Sequence, residues 1–348
     1  MGADASIVDA VAGGGMVLNR ARGIKQQRGV ALITALLVVS IATIVATSML
    51  SRKNLEIRRQ SNLSYWTQAY QYSLGVEAWG RQVLQEDAEA GGKDALTEDW
   101  ATLLPPMEVV GGKIAGSIED LQGRFNLNNL QLSEPPDKLG ENLIFRQFQR
   151  LLESAGGDPD TAYAVVDWID GDEGQSQRGS WGAEDDHYLG EPLPYRAANQ
   201  PFVSPSELLL VRGMSHEVYD RLRPAIIALP RADSRINVNT ALPEVLKALD
   251  PGLILRDDEL ERLQNKQVEG GFDSNNSFWE EFPPINVLPN NTTQQMYESK
   301  LKNSITMKSN YFLIKINVMI GDIPLNLSSL VYRQGSKVEL LQRTFGEL

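Results

Sequence analysis

The chain has 348 residues, 42% of them hydrophobic, and a formal net charge of −12 at pH 7. A chain of this length can bury a sizeable core and form more than one domain. It has no cysteine and two histidines, which excludes disulfides and thiol catalysis and leaves little for histidine-based metal or acid–base chemistry. So acidic a chain is expected to repel nucleic acid and to attract cations such as calcium.

The first 15 residues are polar and glycine-rich and precede a second methionine, Met16. A start at Met16 gives a compact basic leader without an acidic residue, so we expect translation to begin there rather than at Met1. Counted from Met1, loss of residues 1–29 takes the formal net charge from −12 to −14.

An uncharged apolar run extends from Val30 to Ser51, directly after a basic stretch that ends in glycine, Lys25 to Gly29 (KQQRG). As a helix its 22 residues rise about 33 Å, enough to cross a hydrocarbon core of about 30 Å. Basic residues before the run favour a cytoplasmic leader. The bulk of the chain is then expected on the far side of the membrane.

Three interpretations compete for this segment: a cleaved secretory signal with Ala46 and Ser48 at its site, a plain membrane anchor, and a prepilin leader. The run is too long for the first. The junction RGVALITALLVVSIATIVA resembles the processing site of type IV prepilins. That resemblance implies a leader with Lys25 and Arg28, cleavage by prepilin peptidase between Gly29 and Val30, and N-methylation of Val30.

One position departs from the pattern of that family. Most pilins carry a glutamate at the fifth mature residue, and here that residue is Thr34. An unpaired charge is costly in a membrane, so a stacking subunit needs the carboxylate to neutralise a neighbour's amino terminus. A subunit at the end of a filament can dispense with it. In this respect the chain resembles the K-type minor pseudopilins of type II secretion systems.

The apolar helix is predicted to continue as an amphipathic stretch and to end before Gly91 and Gly92. A hairpin is predicted from Met107 to Leu121 around a glycine pair. Near the end of the chain, alternation predicts three strands, which are Tyr311 to Ile320, Pro324 to Tyr332 and Lys337 to Arg343. The simplest assembly is an α+β fold in which one antiparallel sheet, built from both ends of the sequence, packs on a long N-terminal helix.

The middle of the chain is predicted to be a large, mostly helical insertion. Its predicted helices are Glu141 to Ala155, Asp160 to Ile169, Ser204 to Arg212, Glu217 to Ala228, Leu242 to Ala248 and Asp257 to Gln264. RFNLNNL at Arg124 to Leu130 is echoed by RINVNTAL at Arg235 to Leu242, which suggests two related helical units. Asn239 or Thr240 is a candidate N-cap for the helix at Leu242 to Ala248.

These predictions divide the chain into five parts. Residues 1–29 are the prepilin leader and 30–51 the transmembrane and assembly helix. Residues 52–125 complete the long helix and supply the first strands, 126–304 form the inserted helical domain with its two units, and 305–348 supply the last strands.

The insertion and the strings VDWIDGD, WGAEDDHY, PYRAANQPF, SPSELLLVRGM and INVNTALPEVLKAL resemble the K-type pseudopilins over nearly the whole mature chain. The resemblance implies a single-pass inner-membrane subunit with its bulk in the periplasm, which caps the pseudopilus tip and helps to initiate its assembly. It implies I- and J-type minor pseudopilins as partners, and contact with the secretin or an exoprotein. The alternative is a minor pilin or adhesin of a type IV pilus.

An acidic, glycine-rich segment between Asp167 and Asp186 is the strongest candidate site. Carboxylates and loop carbonyls supply the six to eight oxygen ligands that calcium takes, although the spacing does not fit an EF-hand. The competing interpretation is a solvated acidic loop. K-type pseudopilins bind calcium, and the resemblance therefore favours a calcium site. The predicted ligands are Asp167, Asp170, Asp172, Glu184 and Asp185.

The sequence contains no nucleophile elbow, phosphate loop or zinc-ligand spacing. We therefore do not expect the protein to be an enzyme. The stretch SPSELLLVRGMSHEVYDRLRPAI has the pattern of a helix-hairpin-helix unit, a shape that often contacts DNA phosphates. The negative charge of the chain argues against that role, and no nucleic-acid partner is expected.

Overall fold

The computed structural model describes residues 28–131, 142–171, 182–250, 252–283 and 294–346, and the chain divides into two compact units after Ser61. One helix, α1 (Arg28–Ala90), begins in the first unit and ends in the second. Its predicted end before Gly91 and Gly92 is confirmed. Both glycines have positive φ angles, 72° and 113°, which stop a helix and disfavour residues with a side chain.

The remaining elements are short. The other α-helices are α2 (Leu143–Ser154), α3 (Thr161–Ile169), α4 (Asp185–Leu189), α5 (His216–Leu222), α6 (Pro243–Ala248), α7 (Asp257–Val268), α8 (Asn275–Glu281) and α9 (Gln294–Ser304). The strands are β1 (Leu104–Val109), β2 (Gly112–Asp120), β3 (Phe125–Asn126), β4 (Ile226–Ile227), β5 (Ile236–Asn237), β6 (Ile305–Thr306), β7 (Tyr311–Ile320), β8 (Ile323–Gln334) and β9 (Lys337–Phe345).

In the first unit, α1 exposes its apolar side chains. Val30 and Ile44, for example, are 61% and 68% exposed. Length and composition make α1 long and apolar enough to cross a membrane, and no other helix in the described ranges passes that test. A helix that is apolar all round needs lipid or partner helices to cover it.

In the second unit, the last part of α1 packs on an antiparallel sheet with the strand order β1-β2-β7-β8-β9. Ala69, Val76 and Leu84 lie on one face of the helix and are buried with Phe312 and Ile314 of β7. The predicted hairpin and all three C-terminal strands are present. Because β2 pairs directly with β7, the sheet joins the two ends of the sequence and the predicted α+β fold is confirmed.

Between β2 and β7 the chain forms a mostly helical insertion with its own hydrophobic core. Four of its six predicted helices are present as α2, α3, α6 and α7. The helix predicted from Glu217 to Ala228 is wrong beyond Leu222, because Pro224 lacks a backbone N–H and Ile226–Ile227 is a strand paired with Phe125–Asn126.

Other details of the insertion also differ from prediction. The segment predicted as a helix from Ser204 to Arg212 is a 3₁₀ helix, Pro205–Leu210, which Ser204 caps together with Glu207. The prediction missed α4 and α8, which are each shorter than two full turns, and α9, whose sequence is mostly polar. None of the three carries a long apolar period.

The two echoed strings have the same structural role. Asn128 donates from Nδ2 to the carbonyl oxygen of Phe202 (3.0 Å) and accepts from the N–H of Phe202 (2.7 Å). Asn239 makes the same pair of bonds with Phe272, at 3.1 and 2.6 Å. Both asparagines are buried. Each side-chain amide satisfies the backbone N–H and the carbonyl of one phenylalanine, as a neighbouring strand would do.

The N-cap prediction for this region is wrong. The helix α6 begins after Leu242, whose side chain makes no capping hydrogen bond. Asn239 is committed to Phe272, and the hydroxyl of Thr240 donates to Oδ2 of Asp120 at 2.6 Å. Both residues therefore connect the insertion to other parts of the fold.

A buried polar network joins the insertion to the sheet and to the end of α1. Arg333 of β8 forms ion pairs with Asp87 (2.7 Å) and Asp94. Asp120, at the end of β2, accepts from Asn237 and Ser309 at 2.8 and 2.6 Å. Burial raises the pKa of Asp94 and of Asp120, so this network depends on its donors to hold the carboxylates.

Candidate functional site

Three of the five predicted calcium ligands lie together. Asp167 belongs to the last turn of α3, Asp170 is its C-cap, and Glu184 is the residue before α4. Carboxylate oxygens of the three lie within 4.8 Å of one another. Asp167 and Glu184 are buried and Asp170 is half-buried. The cluster is thus formed where the end of α3 meets the start of α4.

The other two predicted ligands are not part of this cluster as described. Asp185 turns away, since its Oδ2 pairs with Arg196 (2.7 Å) and its Oδ1 accepts from the N–H of Ala197 (3.0 Å). Asp172 lies outside the described residues. Its place in the ligand set therefore stays a prediction.

Neighbouring groups hold the cluster in place. Asp167 Oδ2 accepts from the backbone N–H of Ala183 (2.8 Å), and Arg212 donates to the carbonyl oxygen of Gly182 (3.1 Å). Tyr188 is buried edge-on to Trp168, with ring centroids 5.2 Å apart. Burial raises the pKa of Tyr188, as do the charges of Asp167 and Glu184, so its phenol stays neutral. The aromatic pair of Trp168 and Tyr188 thus lies beside these carboxylates.

The donor set fits a hard cation. Oxygens that bind one calcium ion at 2.3 to 2.6 Å lie no more than about 5 Å apart, and the three carboxylates meet this limit. The set contains no nitrogen or sulfur, which zinc or copper would prefer. Calcium needs further oxygens, which loop carbonyls or water can supply.

A second group of acids, which the sequence analysis missed, comprises Asp87, Asp94 and Glu98. Each of these three carboxylates already has a partner within the protein. Arg333 pairs with both aspartates, and Glu98 accepts from the N–H of Ala95 and from the indole of Trp100, each at 2.9 Å. This group therefore forms part of the buried network rather than a cation site.

The predicted processing site lies at the start of α1. Gly29 and Val30 are both in helical conformation, whereas Lys25 lies outside the described residues. The hydroxyl of Thr34 donates to the carbonyl oxygens of Val30 (3.1 Å) and Ala31 (3.0 Å) of its own helix. Thr34 is thus electrically neutral and its polar group is satisfied locally.

Comparison with known proteins gives a consistent result. Two family models, both described as type II secretion system (T2SS), protein K, match residues 123–231 and 236–295. The type II secretion system protein K of Pseudomonas aeruginosa is 35% identical over 341 residues, which cover 92% of this chain and 93% of that protein. The chain belongs to the type II secretion system protein K family. It is a minor pseudopilin, and a type IV pilus subunit is the alternative that this result sets aside.

Other members of the family agree over similar lengths. The relative from Aeromonas hydrophila is 32% identical and the match covers 92% of this chain and 98% of the relative. A chain in the crystal structure of the GspK-GspI-GspJ complex from enterotoxigenic Escherichia coli matches with a TM-score of 0.69 and 26% identity. That match covers 83% of this chain and the whole of the other.

The family matches also coincide with the internal echo. The first begins at Gly123, beside the string that contains Asn128, and the second begins at Ile236, in the string that contains Asn239. Each match also contains the phenylalanine bound by its asparagine. The two matches thus separate the two asparagine–phenylalanine pairs.

Proposed function

We propose that this minor pseudopilin caps the tip of the pseudopilus, helps to initiate its assembly, and acts mechanically rather than as an enzyme. The observation that carries the proposal is Thr34. A subunit with a neutral residue there offers no counter-charge to the amino terminus of another subunit inside the membrane. The inserted domain adds bulk that obstructs a further subunit from stacking beyond this one.

The proposed partners are I- and J-type minor pseudopilins, as in the related complex from enterotoxigenic Escherichia coli. The exposed apolar face of α1 supplies the packing surface for their helices. We expect co-expression with the two small pseudopilins of the same system to yield a 1:1:1 complex by native mass spectrometry. A chain that purifies alone from that mixture would contradict the partnership.

Placement at the tip has its own test. An epitope tag after Gly335, in the exposed turn before β9, should label only the ends of overexpressed pseudopili under electron microscopy. The same tag on the major subunit serves as the control and should label the whole shaft. Labelling of the shaft by the tagged minor subunit would overturn the tip assignment.

The proposed location is the inner membrane, with one crossing near residues 30–51, the bulk in the periplasm, and contact with the secretin or an exoprotein at the tip.

Prepilin peptidase is proposed to remove the leader. We expect intact-mass analysis to find a mature chain that begins at N-methylated Val30. Gly29→Phe should abolish cleavage, because a large side chain does not fit a site that accepts glycine, and Ala31→Phe serves as the control outside the cleaved bond. Normal processing of the Gly29 variant would contradict the prepilin assignment.

For calcium we propose a site formed by Asp167, Asp170 and Glu184, with Asp172 as a further candidate. A bound calcium ion would offset two of the three negative charges and hold the ends of α3 and α4 together. Ligand binding to the folded state alone stabilises it by about 2.7 kcal/mol when the free ion is at 100 times its Kd. The proposal rests on the spacing and chemistry of these oxygens.

Removal of calcium is therefore expected to lower the melting temperature of the full chain by several degrees. Asp170→Asn should weaken calcium binding at least tenfold in calorimetric titration, because the variant loses one of three charged ligands. Asp185→Asn is the matched control, since that carboxylate pairs with Arg196, and should leave the affinity unchanged. No titration heat, together with a melting temperature that chelator does not change, would contradict the site.

A further inference from the structure

A small basic cavity, distinct from the acidic cluster, lies where the end of the first helical unit meets the sheet. Its volume is about 250 Å³. Its lining includes Arg231 and Arg235, and also Lys308, Tyr311 and Tyr332. These residues come from three distant parts of the sequence, so the cavity exists only in the folded chain.

The cavity is positive on a chain whose formal charge is −12. Arg231, Arg235 and Lys308 line it with one carboxylate, Asp233. Within the described ranges, no carboxylate lies within 4.0 Å of the charged nitrogens of these three cations. Some arginines elsewhere, for example Arg196 and Arg221, are paired with acids. Three cations that lack an acidic partner in the described chain create a local attraction for an anion.

The cavity is also organised in advance. Arg231 donates from Nη1 to the hydroxyl oxygen of Tyr332 (3.0 Å), and its guanidinium lies 5.8 Å from the centre of that ring. Tyr332 packs on Tyr311, with ring centroids 4.9 Å apart. Burial raises the pKa of Tyr311 to about 12, so its hydroxyl remains a donor at neutral pH. A guanidinium fixed in this way loses little freedom when it binds an oxyanion.

We propose that this cavity binds a single carboxylate of an acidic protein segment. Its volume suits one Asp or Glu side chain or a chain terminus, and two arginines can offer the paired N–H groups that carboxylates accept. The negative charge of the rest of the chain disfavours a long polyanion. Asp233, Ser234 and Arg235, which line the cavity, fall between the two family matches in sequence.

This inference goes beyond the proposed function and does not depend on it. The test uses the full chain in detergent, in buffer without divalent cations, and titrates it calorimetrically with the blocked tripeptide Asp-Glu-Asp. The blocked tripeptide Asn-Gln-Asn and inorganic phosphate are the comparison probes. We expect the acidic peptide to bind and both comparison probes to bind at least tenfold more weakly.

The variant Arg231→Gln with Arg235→Gln should weaken peptide binding at least tenfold, since it removes two charge-assisted contacts. Lys266→Gln with Lys302→Gln changes the net charge equally at exposed positions of α7 and α9, and should bind as the wild type does. The single variant Lys308→Gln, at an exposed position, keeps the test valid if the double variant misfolds. It should also weaken binding of the acidic peptide. Equal weakening in the charge control, phosphate binding as tight as the peptide, or no binding by the wild type would each overturn the proposal.

Discussion

Replacement of Arg333 by methionine is expected to lower the free energy of unfolding by about 3–5 kcal/mol. The variant keeps a side chain of similar length but leaves Asp94 buried without its main counter-charge. Asp87 loses its partner as well. Denaturant titration of the full chain in detergent measures the change.

The loss in unfolding free energy caused by Arg333→Met is expected to increase with pH. Burial raises the pKa of Asp94 in the folded wild type, and the charge of Arg333 opposes that rise. Without Arg333 the folded-state pKa is higher still, so the folded variant binds a proton more tightly than the unfolded chain does. Its stability is then greatest at low pH and falls as the pH rises through that folded-state pKa. Unfolding at pH 5 and pH 8 checks the sign.

Arg150→Met is the matched control for this prediction. Arg150 pairs with Glu153 on the surface of α2, and an exposed pair of this kind contributes about 0–1 kcal/mol. The control variant should therefore unfold close to the wild type at both pH values. Similar losses in the two variants would show that the network around Arg333 has no special role.

The second large effect is expected from Asn239→Ala. The substitution leaves the N–H and the carbonyl of Phe272 without partners in a buried region, at a cost of about 1–3 kcal/mol for each group. We therefore expect a loss of about 2–6 kcal/mol in unfolding free energy. Asn128→Ala should behave alike, since its bonds to Phe202 are the same.

Asn303→Ala is the control for both asparagines, because its side chain is exposed and makes one long hydrogen bond of 3.5 Å to Ser299. It should change stability by less than about 0.5 kcal/mol. If the stability change of Asn239→Ala also lies within that range, the shared hydrogen bonds of the two echoed strings do not contribute to stability. If only one asparagine matters, the two units differ in how they are held together.

The sequence predicts the parts of this fold that depend on local pattern. Alternation locates the strands near Tyr311 and Lys337, and glycines with positive φ mark where α1 stops. The arginine–aspartate network could not be predicted in the same way, because Arg333 and Asp94 are far apart in sequence. Asn239 was misassigned for a similar reason, since its partner Phe272 carries no local signal.

The structure brings together part of the predicted set of acids, and the cation site itself stays a prediction. Composition marks the stretch from Asp167 to Asp186 as acidic, and three of the predicted acids lie together. Which acids face one another depends on where α3 ends and α4 begins. Arg196 forms an ion pair with Asp185. The spacing of these two residues in the sequence does not predict that pair.

The pairing of β2 with β7 affects the order in which the chain folds during synthesis. The hairpin of β1 and β2 is complete early in synthesis, but its next strand follows the whole insertion. Contacts between such distant segments form slowly, whereas helices that lie close in sequence and contact each other, such as α2 and α3, form faster. The insertion is therefore expected to fold first, and the sheet to close last over α1. Until the C-terminal strands arrive, the edge of β2 is open to capture by chaperones or by another chain.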